Sequence, residues 1–81
     1  MPRTTFTAPY REMLRLLKSA RIEAGITQAD LALSLGKPQS YVSKFERGER
    51  SIDLVEFLQI VRAIGSDAHR IIDQVNQTMP H

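Results

Sequence analysis

ITQADLALSLGKPQSYVSKFERGER, residues 26–50, decides how the rest of the chain is read. Two helix signals stand back to back in it. Thr27 with Asp30 three residues on resembles a capping box, in which each side chain accepts from the other residue's backbone N–H. Ile26 before the cap and Leu31 at the fourth helical position have the spacing of a hydrophobic staple. Leu31, Ala32 and Leu35 face inward, and Gly36 ends the helix. Lys37-Pro38 makes the turn, with Pro38 expected at the first position of the next helix, where a missing N–H costs little. In that next helix Pro38, Val42 and Phe45 share one side, flanked by Tyr41 and Glu46. Ser40, Ser43, Lys44 and Arg47 share the other, with Gln39 near the tip, and Gly48 stops the helix. The pattern is two short helices in tandem, the second with an apolar back and a polar, basic front.

The flanks supply three more helices. One is expected from Ala8 to Ala24, capped by Thr7, with Pro9 tolerable in its first turn. Tyr10, Met13, Leu14, Leu17, Ala20 and Ala24 recur on one face, while Arg11, Glu12, Arg15 and Lys18 lie off it. Downstream, Asp53 and Glu56 form a full capping box, and Ile52 and Phe57 a second staple. The buried stripe expected there is Leu54, Phe57, Leu58, Val61 and Ile64, ending at Gly65. Asp67 or Ser66 caps a fifth helix with apolar positions Ala68, Ile71, Ile72 and Val75. No strand pattern or repeat interrupts the series. The expected fold is all-α, five short helices in one domain over 8–77, unlike an up-down four-helix bundle. Residues 1–7 are expected to be a flexible arm, and 78–81 a frayed end. Arg3 in that arm is placed for a phosphate or a minor groove, against the simpler reading of a frayed terminus.

Composition narrows the function. At 81 residues the chain holds a modest core and no large catalytic cleft. It has no cysteine, and therefore no disulfide, thiolate nucleophile or cysteine zinc ligand. His69 and Asp73 stand four apart on the fifth helix but lack an evident third ligand, since His81 is at the terminus. Ser34, Ser40 and Ser43 have no His-acid arrangement beside them, and no glycine-rich phosphate loop exists. No enzyme, metal or cofactor is expected. No apolar run approaches the roughly 20 residues of a membrane span, and MPRTTFTAPY lacks a secretory apolar core, so a cytoplasmic protein is expected. Net charge is only +2, but residues 1–50 carry +4 and residues 51–81 carry −2. A basic end suggests an anionic partner.

From Arg21 to Gly65 the chain resembles the XRE or lambda-repressor-like helix-turn-helix family. The resemblance rests on Arg21, Gly25, Thr27-Gln28, Leu31-Ala32, Gly36, Gln39-Ser40, Val42-Ser43, Glu46 and Gly48, continued by Leu54, Leu58 and Ile64-Gly65. It covers roughly residues 10–75. It implies a five-helix DNA-binding domain of a bacterial or phage regulator, acting as a dimer on a two-fold symmetric operator, with the helix after Pro38 in the major groove. It implies that Gln39, Ser40, Ser43 and Lys44 meet bases. It implies too that Gln28 holds a phosphate and braces the first base-reading residue, and that Arg21 and Glu46 form a structural ion pair.

The residues themselves agree. A glutamine amide pairs bidentately with adenine, and lysine reaches guanine or a phosphate. Short serines let a helix sit deep in a groove. Helix N-termini and nearby cations suit phosphates, making Thr27, Lys37, Tyr41, Arg47 and Arg50 candidates beside Gln28. Pro38 departs from the family's usual Ser or Thr, and Tyr41 is bulkier than is typical. Ile71, Ile72 and Val75 are candidates for a dimer interface. The expected partner is double-stranded DNA in the nucleoid, bound by a homodimer in repressor-like regulation. Two alternatives stay open: an antitoxin or restriction-modification controller with a protein partner, and a protein-interaction module that keeps the fold without binding DNA.

Overall fold

Residues 7–80 are described by the computed structural model. They form α1 (Ala8–Glu23), α2 (Gln28–Leu35), α3 (Gln39–Glu46), α4 (Leu54–Ile64) and α5 (Ala68–Gln77). No strand occurs among them. Arg3, the rest of the arm through residue 6, and His81 lie outside the described residues.

Four of the five helices begin where a side chain caps them. Thr7 Oγ1 accepts from Tyr10 N–H to open α1. At α2 both halves of the box form: Thr27 Oγ1 accepts from Asp30 N–H at 3.0 Å, and Asp30 Oδ2 accepts from Thr27 N–H at 3.2 Å. The same reciprocal pair joins Asp53 and Glu56 at α4. Asp67 caps α5, accepting from His69 and Arg70 N–H. Only α3 starts without a side-chain cap, because Pro38 stands one residue earlier than expected, as the N-cap itself in extended conformation.

The turn between α2 and α3 depends on Gly36, which takes a left-handed φ of +68°. That conformation lets Lys37 N–H reach back to Ala32 O at 2.9 Å and closes α2. A Cβ at Gly36 would meet nothing within 4 Å, so the glycine answers to backbone conformation and not to crowding.

α2 packs on α3 and α4, and α1 lies against α3, α4 and α5. The innermost side chains are Leu17, Leu31, Val42, Phe45 and Ile60. Two come from α3, whose apolar back is thereby fixed; burying each fully contributes about 1.5–3 kcal/mol. A long-range tie adds to this: Ile52 N–H donates to Tyr10 Oη at 3.0 Å, joining the loop before α4 to α1.

The buried stripe of α4 differs from the expected one. Phe57, Ile60, Val61 and Ile64 are buried, whereas Leu54 is 66% and Leu58 44% exposed. The segment LVEFLQIVRAI is apolar at most positions, so spacing alone supports more than one stripe. At about 100° per residue Leu58 stands a quarter-turn round from Phe57, outside the side taken by α1 and α2. On α1 Ala24 is exposed past the helix end, and Arg21 occupies the next buried position after Leu14 and Leu17.

Arg21 is the one charged residue among the described buried residues. Its Nε donates to Glu46 Oε2 at 2.7 Å, its Nη2 to Glu46 Oε1 at 3.1 Å, and its Nη1 to Ile26 O at 2.8 Å. The two side chains are 10% and 3% exposed. One guanidinium thus fastens α1 to the end of α3 and to the entry of α2. The ion pair that the family resemblance implied is present, and both charges have planar, bidentate partners.

Two outcomes follow for stability. Glu46→Ala leaves a buried guanidinium without its carboxylate and should lower unfolding free energy by about 3–5 kcal/mol in urea melts; a loss under about 1 kcal/mol would mean that the pair behaves as a surface bridge. Gly36→Ala should cost about 1–2 kcal/mol through backbone strain alone, and a neutral result would show that the turn relaxes to negative φ.

Candidate nucleic-acid interface

The front of α3 is polar and open. Gln39, Ser40 and Lys44 are exposed, and Ser43 is half-buried. Lys37 and Arg47 are exposed on either side of this face. The four expected base-reading residues therefore share one surface, which projects no large apolar side chain. Pro38 supplies no side-chain cap, and Tyr41 N–H donates to Pro38 O at 3.0 Å, so the Gln39 and Ser40 N–H groups are the first-turn donors of α3 left to an anion.

Behind this face the ion pair extends outward. Gln28 Nε2 donates to Glu46 Oε1 at 2.9 Å. Glu46 therefore gathers Arg21 and Gln28, from α1 and α2, on a residue of α3. Gln28 is half-buried and engaged, not free, though an amide nitrogen carries a second N–H for another acceptor. Thr27 is exposed, with its hydroxyl oxygen accepting in the capping box.

The two arginines that follow α3 are held differently. Arg47 Nε and Nη2 donate to Glu49 at 2.9 and 3.0 Å, and its Nη1 donates to Ser43 Oγ at 2.8 Å. Each raises the other's charged form: the hydrogen-bonded carboxylate pushes the Arg47 pKa up, and the guanidinium holds Glu49 below the usual carboxylate range. Both are more than half exposed, so the pair is weak and a phosphate competes with it readily. Arg50 is set deeper. Its Nη2 donates to Glu56 Oε2 at 2.8 Å, and its guanidinium lies 4.9 Å from the Tyr41 ring centre. Lys37 Nζ lies 5.3 Å from the same centre.

Tyr41 corrects an expectation. It was a candidate phosphate contact, but it is 8% exposed and its hydroxyl donates to Glu56 Oε2 at 3.0 Å. The extra bulk goes inward, edge-on to Phe45. Burial, then the hydrogen bond to Glu56, push its phenol pKa up. Glu56 is held low, first by the Asp53 N–H at the cap and further by Tyr41 and Arg50.

Other residues join the basic surface without having been singled out. Arg11, Arg15 and Lys18 of α1 flank a hollow of about 250 Å³ that Arg47 and Gly48 close from the other side. Their spacing along one helix face was the available signal. Among the described residues, no group of three His, Cys, Asp or Glu side chains is placed to hold a metal, and no helix is long and apolar enough to cross a membrane.

The candidate dimer residues separate. Ile71 is 4% exposed and belongs to the core, because it faces α1. Ile72 is 45% exposed and Val75 half-buried, and both line an apolar groove of about 430 Å³ with Leu54, Phe57 and Met79. Leu54, exposed on α4, thus rejoins the apolar residues of α5, whereas Leu58 does not line the groove.

Comparison with known proteins agrees with this geometry. The family model described as Helix-turn-helix (HTH_3) matches residues 17–70. A solved XRE-family like protein from Pseudomonas syringae pv. tomato str. DC3000 is 45% identical, with a TM-score of 0.84 over 90% of this chain and 89% of its own. No curated protein sequence matches. The matched region spans α2, the Gly36 turn and α3 together with the helices that brace them, and the chain belongs to the XRE family of helix-turn-helix DNA-binding regulators.

Proposed function

We propose that this regulator is a sequence-specific, repressor-like protein that places α3 in the major groove of a two-fold symmetric operator. The observation that carries the reading is the polar front of α3, fixed from behind by Arg21, Glu46 and Gln28. Gln39 and Ser40 meet bases first, and Ser43 and Lys44 follow along the groove. Lys37, Arg47 and Arg50 hold phosphates at the two ends of α3, with Thr27 and Gln28 at the start of α2. The protein acts in the cytoplasm on nucleoid DNA, without catalysis or a cofactor. A protein-docking module is disfavoured because the exposed front of α3 has no apolar anchor.

One domain with a few short polar readers binds a half-site weakly, so a homodimer is part of the proposal. Its support is the apolar groove, where Leu54, Ile72 and Met79 are each at least 45% exposed. This replaces an interface of α5 alone with one shared between α4 and α5.

Selection from random duplexes should enrich a symmetric site with half-sites about one helical turn apart. On that site Gln39→Ala should lose about 1–3 kcal/mol of discrimination at one base pair. Failure to enrich any site would remove sequence-specific reading. Ile72→Asp should shift the sedimentation profile toward monomer and weaken operator binding cooperatively. A wild-type protein that sediments as a monomer at every concentration, and binds only single half-sites, would refute the dimer.

A further inference from the structure

We propose that Tyr41 is a positioning residue whose ring holds Lys37 and Arg50 together as a two-cation clamp for neighbouring phosphates of one DNA strand. The proposal rests on the DNA-binding reading and adds to it a residue that touches no DNA.

Lys37 precedes α3 and Arg50 follows it, so nothing in the local sequence brings them together. The Tyr41 ring does, with Lys37 Nζ and the Arg50 guanidinium both within 5.3 Å of its centre. The ring face is electron-rich and attracts both cations. The ring is itself buried. It packs edge-on to Phe45 at 5.6 Å and 67°, and Phe45 has no exposed surface. Its hydroxyl donates to Glu56 Oε2, the same oxygen that accepts from Arg50 Nη2. Glu56 in turn is anchored through Oε1, which accepts from Asp53 N–H at the start of α4. Ring, carboxylate and helix cap thus form one chain of support reaching Arg50.

Charge explains why this is a clamp and not a closed salt bridge. Two cations lie over the Tyr41 ring and only Arg50 meets a carboxylate, leaving an excess positive charge. Among the described residues Lys37 pairs with no carboxylate. Arg50 gives Glu56 a single hydrogen bond, and a guanidinium carries five N–H donors. Arg47 makes the contrast: three of its donors are already engaged by Glu49 and Ser43. Holding Lys37 and Arg50 in place before binding reduces the side-chain entropy lost when a phosphate arrives. It also fixes both cations beside the Tyr41 ring, where they set the register of α3 on the strand.

The test is a mutant cycle read by salt dependence. Wild type, Tyr41→Phe, Tyr41→Leu and Lys37→Gln/Arg50→Gln are titrated onto a labelled mixed-sequence duplex from about 50 to 200 mM salt. Thermal melts confirm that each variant is folded at the assay temperature. Should Tyr41→Leu melt too low, Tyr41→Met takes its place. Tyr41→Phe, which keeps the ring, should hold the wild-type slope of log affinity against log salt. Tyr41→Leu should reduce that slope by about 1–2, since each phosphate contact contributes about 0.9. In the Lys37→Gln/Arg50→Gln background, Tyr41→Leu should change neither slope nor affinity further. A folded Tyr41→Leu protein with the wild-type slope would overturn the clamp. So would an equal loss of affinity with and without the two cations, which would make Tyr41 a packing residue only. If wild type itself shows no salt-dependent binding, the DNA-binding reading fails and the clamp fails with it.

Discussion

A buried guanidinium is the constraint on which the rest depends. Arg21 cannot be left without partners inside the fold, because an unpaired buried charge costs several kcal/mol. It finds Glu46 at the end of α3 and the Ile26 carbonyl at the entry to α2. Those two partners fix the angle between the helix pair and α1. Apolar packing of Val42 and Phe45 holds α3 down but is non-directional; the bidentate pair supplies direction. Gln28 continues the network to the surface, so the outer layer proposed to meet DNA is oriented by the innermost charge.

The same surface shows how a protein of net charge +2 manages an anionic partner. Its cations are concentrated around α3, and several are paired with carboxylates in the free state. The Arg47–Glu49 pair is exposed and weak, and opens at little cost. The Arg50–Glu56 pair is more sheltered and braced by Tyr41. In the free protein each of these pairs is locally neutral.

Much of this was legible from residue types at fixed spacing. Both capping boxes and the stop at Gly36 depend on neighbours three to five residues apart, and each formed. The polar front of α3 was legible for the same reason. The α4 stripe was not, because a segment apolar nearly throughout offers no phase: Leu54 and Leu58 are as suitable as Ile60 until α1 and α2 choose a side. Ile71 and Ile72 posed the same problem, with adjacent isoleucines divided between core and surface. Tyr41 was misread because its partner Glu56 lies on another helix, and the Tyr10–Ile52 bond is more distant still. The Arg21–Glu46 pair came from family resemblance; spacing alone does not find it.

The most direct measurement is amide and side-chain chemical-shift mapping as an enriched duplex is added to the labelled protein. Binding through the front of α3 predicts that the largest changes fall on Gln39, Ser40, Ser43 and Lys44. Smaller ones should reach Gln28 and Arg50, with α5 changing only through Ile72 and its neighbours on dimer formation. Changes concentrated on α4 and α5, with the front of α3 unmoved, would contradict it.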